Sequence, residues 1–215
     1  MRAILCFLLV YFIGGVNPAY LIGRRAGFDI RQHGSGNAGA SNVIILKGKR
    51  LGAFVALFDI FKAYIAVILA RRLIPSFTYA GELAGMAVIL GHIFPAALSF
   101  RGGKGLACLG GVILALNWRL FVIMLLSEIV LLAVTKYLCY VPITASFFFP
   151  IIHAYRLGSF LPIFIFLPVT ATMIFKHIEN LRRIACGEEV RISFLWNKDE
   201  ELARIGISTE EDIDE

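Results

Sequence analysis

From residue 3 to residue 23 the chain runs without a charged side chain, and six further apolar stretches follow at 51–70, 79–98, 106–116, 120–134, 141–154 and 161–175. An α-helix rises 1.5 Å per residue, so about 20 residues cross the ~30 Å hydrocarbon core of a bilayer. Most of these runs reach or approach that length; the fourth, with 11 residues, is short unless it borrows from its flanks or forms a half-helix inside a bundle. The whole chain of 215 residues is 59% hydrophobic and only 17% charged, more apolar surface than a soluble domain of this size can hide. The first run exceeds a signal-peptide core and has no small-x-small site at its end, so it reads as a retained span. The expected fold is all-α: a polytopic integral membrane protein with about seven transmembrane helices.

Charge supplies the orientation. With seven spans, the loops that share a side with residues 24–50 carry 15 Lys and Arg, and the loops opposite carry 5. The positive-inside rule then places the N-terminus outside and the C-terminus in the cytoplasm. The net charge of +6 comes from these flanks and not from an aromatic-interleaved basic patch, so no nucleic-acid partner is expected. Beyond Gly187 the character changes, with ten of the 15 carboxylates falling in residues 188–215. The chain divides into a membrane domain, 1–187, and an acidic cytoplasmic tail, 188–215, which offers a surface for a protein contact. In the tail, Asn197 and Glu200 have capping-box spacing ahead of a short helix, with Gly206 as its stop.

Three polar segments interrupt the apolar background, and this topology puts all three on the cytoplasmic face. The first is Gly34-Ser35-Gly36-Asn37-Ala38-Gly39-Ala40-Ser41-Asn42, too polar to span and too rich in glycine for a stable helix. Its reading is a loop whose N–H groups, hydroxyls and amides bind phosphate oxygens; the bland alternative is a surface turn. Ser35 lacks a His and carboxylate arranged for nucleophilic activation and reads as a hydrogen-bond donor. The second segment, Arg101-Gly102-Gly103-Lys104-Gly105, opens the fourth apolar run, where helix-start N–H groups and an ammonium can meet an anion. It lacks the spacing of a nucleoside-triphosphatase P-loop, and taken alone it is equally a basic flank. The third, His177 to Arg183, sets His177, Asn180 and Arg183 along one helical face.

Within the spans, Asp59 and Lys62 are i, i+3 and read as a structural ion pair, with a proton relay as the alternative. His92 lies near the second segment and either positions it or is a core histidine. His153 reads as structural, and Glu82 and Glu128 stand isolated. The four cysteines show neither zinc-ligand nor disulfide-framework spacing, and no metal or cofactor is expected.

Taken together, these segments resemble the PlsY family of bacterial membrane acyltransferases, which acylate glycerol 3-phosphate from acyl phosphate. The family's Gly-Ser-Gly-Asn-x-Gly-Ala-Thr-Asn stretch is matched from Gly34 to Asn42, with Ser41 for Thr. Its Gly-His-x-Phe-Pro stretch and basic Gly-Gly-Lys-Gly loop are matched by Gly91–Pro95 and Arg101–Gly105. Its His-x-x-Asn-Ile-x-Arg helix and following Gly-Thr-Glu are matched by His177–Arg183 and Gly187-Glu188, with Leu181 for Ile and no Thr. Asp59-Ile60-Phe61-Lys62 also fits.

The resemblance covers about residues 1–190. It implies seven spans and a cytoplasmic site in a bacterial inner membrane, membrane lipid as surroundings, and formation of 1-acyl-glycerol 3-phosphate, the first acylated phospholipid precursor. It implies Ser35, Lys104, His177 and Asn180 as the catalytic polar groups. Phosphate binding then falls to Gly34, Gly36, Asn37, Gly39, Ser41, Asn42, Arg101, Gly102, Gly103 and Gly105.

Two departures stand out. Where the family has an Arg three residues after the first motif, this chain has Ile45; the nearest cation, Lys47, is expected to bind phosphate in its place, with Arg50 as the alternative. Where the family has Tyr-x-Ser-x-x-Ser, this chain has Cys139 and Pro142 at the Ser positions. Two other readings follow: a catalytically weak or inactive paralogue that binds acyl phosphate or a related phosphorylated ligand, and a transporter of a phosphorylated solute. Against the transporter, the polar segments gather on one side rather than at the midplane, and no internal repeat is present.

Overall fold

The computed structural model describes residues 2–205, and among them every regular element is helical. The ten α-helices are α1 (Arg2–Gly15), α2 (Pro18–Arg25), α3 (Ala40–Lys47), α4 (Lys49–Leu73), α5 (Ala80–Ile93), α6 (Leu106–Leu116), α7 (Trp118–Thr135), α8 (Tyr140–Leu157), α9 (Leu161–Ala185) and α10 (Lys198–Arg204). By length and composition four of the described helical segments can cross a membrane, or five if the bent pair α1 and α2 counts as one.

Helix α5 is the centre of the bundle, packed against α1, α4, α6 and α9. The α1–α5 contact is close because of two reciprocal glycines. A Cβ on Gly14 would overlap the Val88 carbonyl, and one on Gly91 would overlap the Tyr11 carbonyl. Such small-residue contacts let backbones approach where lipid removes the usual hydrophobic drive for association. Ala63, Ala66 and Val67 of α4, Val88 and Ile89 of α5, and Phe166, Val169 and Met173 of α9 fill the shared core. Helix α7 sits at the edge and exposes Ile123, Leu126, Val130 and Val134, the face a lipid-solvated helix presents.

Three expectations change. The first span is not continuous: α1 and α2 meet at 42° around Val16 and Asn17. Pro18 has no N–H, and the Asn17 side chain caps Tyr20, so the sequence ends one helix and starts another inside the apolar run. The first polar segment is a loop only as far as Gly39, with Ala40, Ser41 and Asn42 forming the first turn of α3. The last span extends ten residues past its apolar limit, to Ala185. Its polar extension remains helical because His177 and Asn180 are buried against the bundle while Glu179 and Arg182 form an exposed i, i+3 pair at 3.7 Å.

The two lone carboxylates also have partners, supplied by other helices. Glu82 Oε1 lies 3.0 Å from His153 Nε2 in a buried pair, and Glu128 accepts 2.8 Å from the Thr144 hydroxyl. In the tail, Asn197 donates 2.9 Å to Glu200 as α10 begins. The expected stop at Gly206 and residues 206–215 lie outside the described residues.

Candidate active site

The loop from Gly34 to Gly39 is fastened from beneath by Asn42. Its buried amide donates to the carbonyls of Ile30 at 2.9 Å and His33 at 3.0 Å, and its Oδ1 accepts from the Ser35 N–H at 2.9 Å. Asn42 therefore shapes the loop, and its side chain points inward rather than to a ligand. Gly34 has φ +59° and Gly36 φ +69°, left-handed conformations that other residues rarely adopt. The N–H groups of Gly36 and Gly39 donate within the loop to His33 and Asn37. Helix α3 starts at Gly39 with no side-chain cap, so its first-turn N–H groups, including that of exposed Ser41, remain open to an anion. Ser35 is exposed beside this edge.

The second segment runs back along the end of α5. Gly102 N–H donates to Ile93 O at 3.0 Å and Gly103 N–H to His92 O at 3.2 Å. The glycines here serve close approach: a Cβ on Gly103 would overlap His92 Nε2 and lie 3.2 Å from Ala38 O. The second segment thus touches the first at Ala38. A further tie joins the stretches that lead into them, since Arg31 donates 2.7 Å to Leu98 O while its guanidinium grips Asp29. That grip, through the side-chain hydrogen bond, lowers the Asp29 carboxyl to about 2. Gly105, at φ +93°, turns the chain into α6, which also begins without a side-chain cap. Arg101 is exposed at the rim.

Lys104 joins the third segment. Its ammonium donates to Asn180 Oδ1; Asn180 Nδ2 donates 2.7 Å to Glu189 Oε1; Arg183 Nε donates 2.7 Å to Glu189 Oε2. This chain fixes which way the Asn180 amide faces. Burial pushes the Lys104 ammonium below its usual range, the Arg183 charge adds to this, and Glu189 opposes it. One turn before Asn180, His177 is buried and its Nδ1–H donates 2.7 Å to Met173 O, which leaves Nε2 as the acceptor nitrogen. Cys139, at one of the departed Ser positions, is buried close by, and burial raises its thiol to about 11, with Glu189 adding to the effect.

Behind these loops, Lys62 bonds Asp59 at 2.7 Å and His92 Nδ1 at 3.1 Å. Cys108 Sγ brings a third possible metal ligand within 4.8 Å of Asp59 and His92. The Lys62 ammonium already supplies the cation that this carboxylate needs, so the cluster fits an internal ion pair better than a metal.

Lys47 is exposed and stands 5.1 Å over the Phe28 ring. Ile45 instead lines an apolar hollow of about 280 Å³ with Ile44, Phe194, Leu195 and Trp196. An apolar residue at position 45 thus gains neighbours from the start of the tail. Sequence reasoning misses Glu189 and Asn17. Glu189 sits two residues beyond Gly187, where the family's Gly-Thr-Glu provides a signal. Asn17-Pro18 is a helix-start pair hidden in an apolar run.

The glycerol-3-phosphate acyltransferase family model matches residues 4–187. The chain belongs to this family. It is 38% identical over 197 residues to a glycerol-3-phosphate acyltransferase of Clostridioides difficile, covering 88% of this chain and 95% of that one. It is 34% identical over 205 residues to glycerol-3-phosphate acyltransferase 1 of Oceanobacillus iheyensis, covering 92% and 99%. The crystal structure of PlsY, an integral membrane glycerol 3-phosphate acyltransferase, in its glycerol 3-phosphate form matches with a TM-score of 0.82 at 28% identity, over 91% of this chain and 98% of that one. Its lysophosphatidic acid form matches with a TM-score of 0.78. The acyltransferase family match ends at Gly187, so Glu189 and the tail lie outside it.

Proposed function

We propose that this chain transfers an acyl group from acyl phosphate to glycerol 3-phosphate, giving 1-acyl-glycerol 3-phosphate for phospholipid synthesis. The observation that carries the reading is the junction of the three polar segments, through Ala38 against Gly103 and Lys104 against Asn180. Two uncapped helix starts and a half-buried ammonium at one place suit two phosphates held side by side. Acyl phosphate carries its own leaving group, so the acceptor hydroxyl attacks the carbonyl carbon directly. The carbonyl–phosphate C–O bond then breaks and inorganic phosphate departs.

In this scheme Lys104 screens the charge that builds on the departing phosphate, and Asn180 aims Lys104. The attacking hydroxyl passes its proton to a phosphate oxygen, because His177 lacks a carboxylate partner to raise its basicity. Its Nε2 suits an accepted hydrogen bond that orients the hydroxyl. Ser35, Ser41 and Arg101 bind phosphate at the exposed rim. An apolar groove of about 550 Å³ along α4 and α6, lined by Phe54, Leu57, Phe61, Tyr64 and Leu114, is of a kind to hold the acyl chain.

The protein crosses a bacterial inner membrane seven times, with the N-terminus outside and this site facing the cytoplasm, as the 15-to-5 distribution of Lys and Arg supports. The acidic tail belongs on that face in this reading and offers a surface for a protein contact. Purified protein supplied with glycerol 3-phosphate and either acyl phosphate or the matching acyl-thioester tests the activity. Product from acyl phosphate alone is expected. Product from the thioester alone, or none from either donor, overturns the proposal.

A further inference from the structure

An unbroken helix would bond the Tyr20 N–H to the Val16 carbonyl. Here the Tyr20 N–H goes to Asn17 Oδ1 at 2.8 Å, and the Val16 carbonyl is left without its helical partner. Lys62 takes that carbonyl at 2.6 Å, and the same ammonium holds Asp59 and His92. The His92 ring in turn is the surface against which Gly103 lies. On its other side Asn17 donates from Nδ2 to Ala38 O at 2.9 Å, and Ala38 O is the atom that faces Gly103 from the first loop. The contacts close a ring: Val16 to Lys62, His92, Gly103, Ala38, Asn17 and back to Val16.

Asn17 is 5% exposed and uses both ends of its amide, one as a helix cap and one on the loop. The cap needs only an acceptor at this position. The bond to Ala38 O needs a donor. A serine hydroxyl also donates and accepts, but from a single atom; an amide carries its donor and acceptor on separate atoms, so Nδ2 meets Ala38 O while Oδ1 holds the Tyr20 N–H. A residue placed here for helix capping alone would be equally well an aspartate or a serine.

We propose that Asn17 is a positioning residue for acyl transfer: through Ala38 O it sets the spacing between the Gly34–Gly39 loop and the Lys104 loop. The break in the first span is thus the anchor from which both anion-binding segments are held. The proposal rests on the acyl-transfer reading for its kinetic consequence, but not for its structural one. Because Asn17 lies outside the exposed rim where phosphates bind, it acts through the loop.

Asn17→Asp separates the two tasks. A carboxylate keeps the cap on Tyr20 but loses the donor, and its charge repels the Ala38 carbonyl. Asn17→Ala loses both. The expected result is a thermal midpoint lowered in both variants, because Ala loses the cap and Asp buries a charge, with KM for at least one phosphate substrate raised about tenfold in both and the two KM values not ordered as the thermal midpoints are. A conservative return of the donor should also show. Lowering the pH until the introduced carboxyl group carries a proton restores an O–H toward Ala38 and narrows the gap to the parent, while the Ala variant gains nothing.

A second measurement does not depend on turnover. Spin labels at cysteines replacing the exposed His33 and Arg101, in a Cys186→Ser background, report the separation of the two loops. Pulsed electron paramagnetic resonance should give one narrow distance distribution in the parent and a broader or displaced one in Asn17→Asp. An unchanged distribution in that variant overturns the proposal, as does a KM loss that tracks the fall in thermal midpoint alone. If the parent itself makes no product, the acyl-transfer reading fails while the distance measurement still decides the role of Asn17.

Discussion

Replacing Lys104 with alanine removes the ammonium that joins the second polar segment to the third. In the parent this group is half-buried, donates to Asn180 and is pushed toward deprotonation by burial. A hydrogen bond from a charged group contributes about 1.5–3 kcal/mol, so loss of a single phosphate contact alone predicts a fall of about 10- to 150-fold in kcat/KM. The Asn180 Oδ1 also loses its partner, which adds a cost of about 1 kcal/mol in a poorly hydrated site. If Lys104 steadies the departing phosphate, kcat falls along with kcat/KM; a rise in KM alone would assign it to ground-state binding.

The Lys104→Ala/Asn180→Ala cycle then asks whether the two act as one unit. Asn180 is expected to work by aiming Lys104, so the double variant should be little worse than Lys104→Ala, a coupling within the roughly 0.5–3 kcal/mol range of contacting residues. The assay is initial-rate acyl transfer by protein in lipid, with expression and thermal midpoint matched to the parent. Activity of Lys104→Ala within twofold of the parent refutes the role. Strictly additive losses refute the aiming argument.

Three further outcomes follow from the same geometry. The Lys104 ammonium is held below its usual value of 10.5, first by burial and then by Arg183, so kcat/KM should fall as pH rises through that lowered value; Lys104→Arg, whose guanidinium stays charged, should remove this alkaline limb even if its rate is lower. Glu189→Gln replaces an acceptor that serves both Asn180 and Arg183 with an amide that repels one of them, and should cost about tenfold in kcat with little change in overall fold, measured by the same assay and by thermal melting. Ile45→Arg should lower KM for glycerol 3-phosphate and Lys47→Ala should raise it, because a second phosphate brought beside the first requires compensating charge; unchanged values in both would place the acceptor away from α3.

Hydropathy and glycine patterning made much of this architecture legible. The apolar runs locate the helices, and the mixture of glycine, cation and amide in Gly34–Asn42, Arg101–Gly105 and His177–Arg183 marks the segments that meet. Local pattern could not show what each glycine and amide does. Gly103 looks like part of an anion nest, yet its N–H is tied to His92 O and its missing Cβ admits the His92 ring. Asn42 looks like a ligand and is the fastener of its loop, which depends on the Ile30 carbonyl 12 residues away.

Partners distant in sequence were hidden for the same reason. Glu82 finds His153 across 71 positions, and Glu189 finds Asn180 only because α9 stays helical well past its apolar limit. Hydropathy ends that span at Phe175, whereas the packing of His177 and Asn180 carries the helix to Ala185. The Asn17-Pro18 break was readable from capping chemistry, but an uncharged asparagine barely disturbs a hydropathy profile.

The proposed reaction is a direct transfer, from acyl phosphate to glycerol 3-phosphate, at the place where Ala38, Gly103, Lys104 and Asn180 converge. It is measured in a single turnover, with the acyl phosphate labelled in its acyl chain and the protein in excess. Direct transfer predicts that the label moves to 1-acyl-glycerol 3-phosphate only when glycerol 3-phosphate is present, with one inorganic phosphate released for each product formed and none of the label on protein. Phosphate release with the label bound to protein in the absence of glycerol 3-phosphate would contradict it.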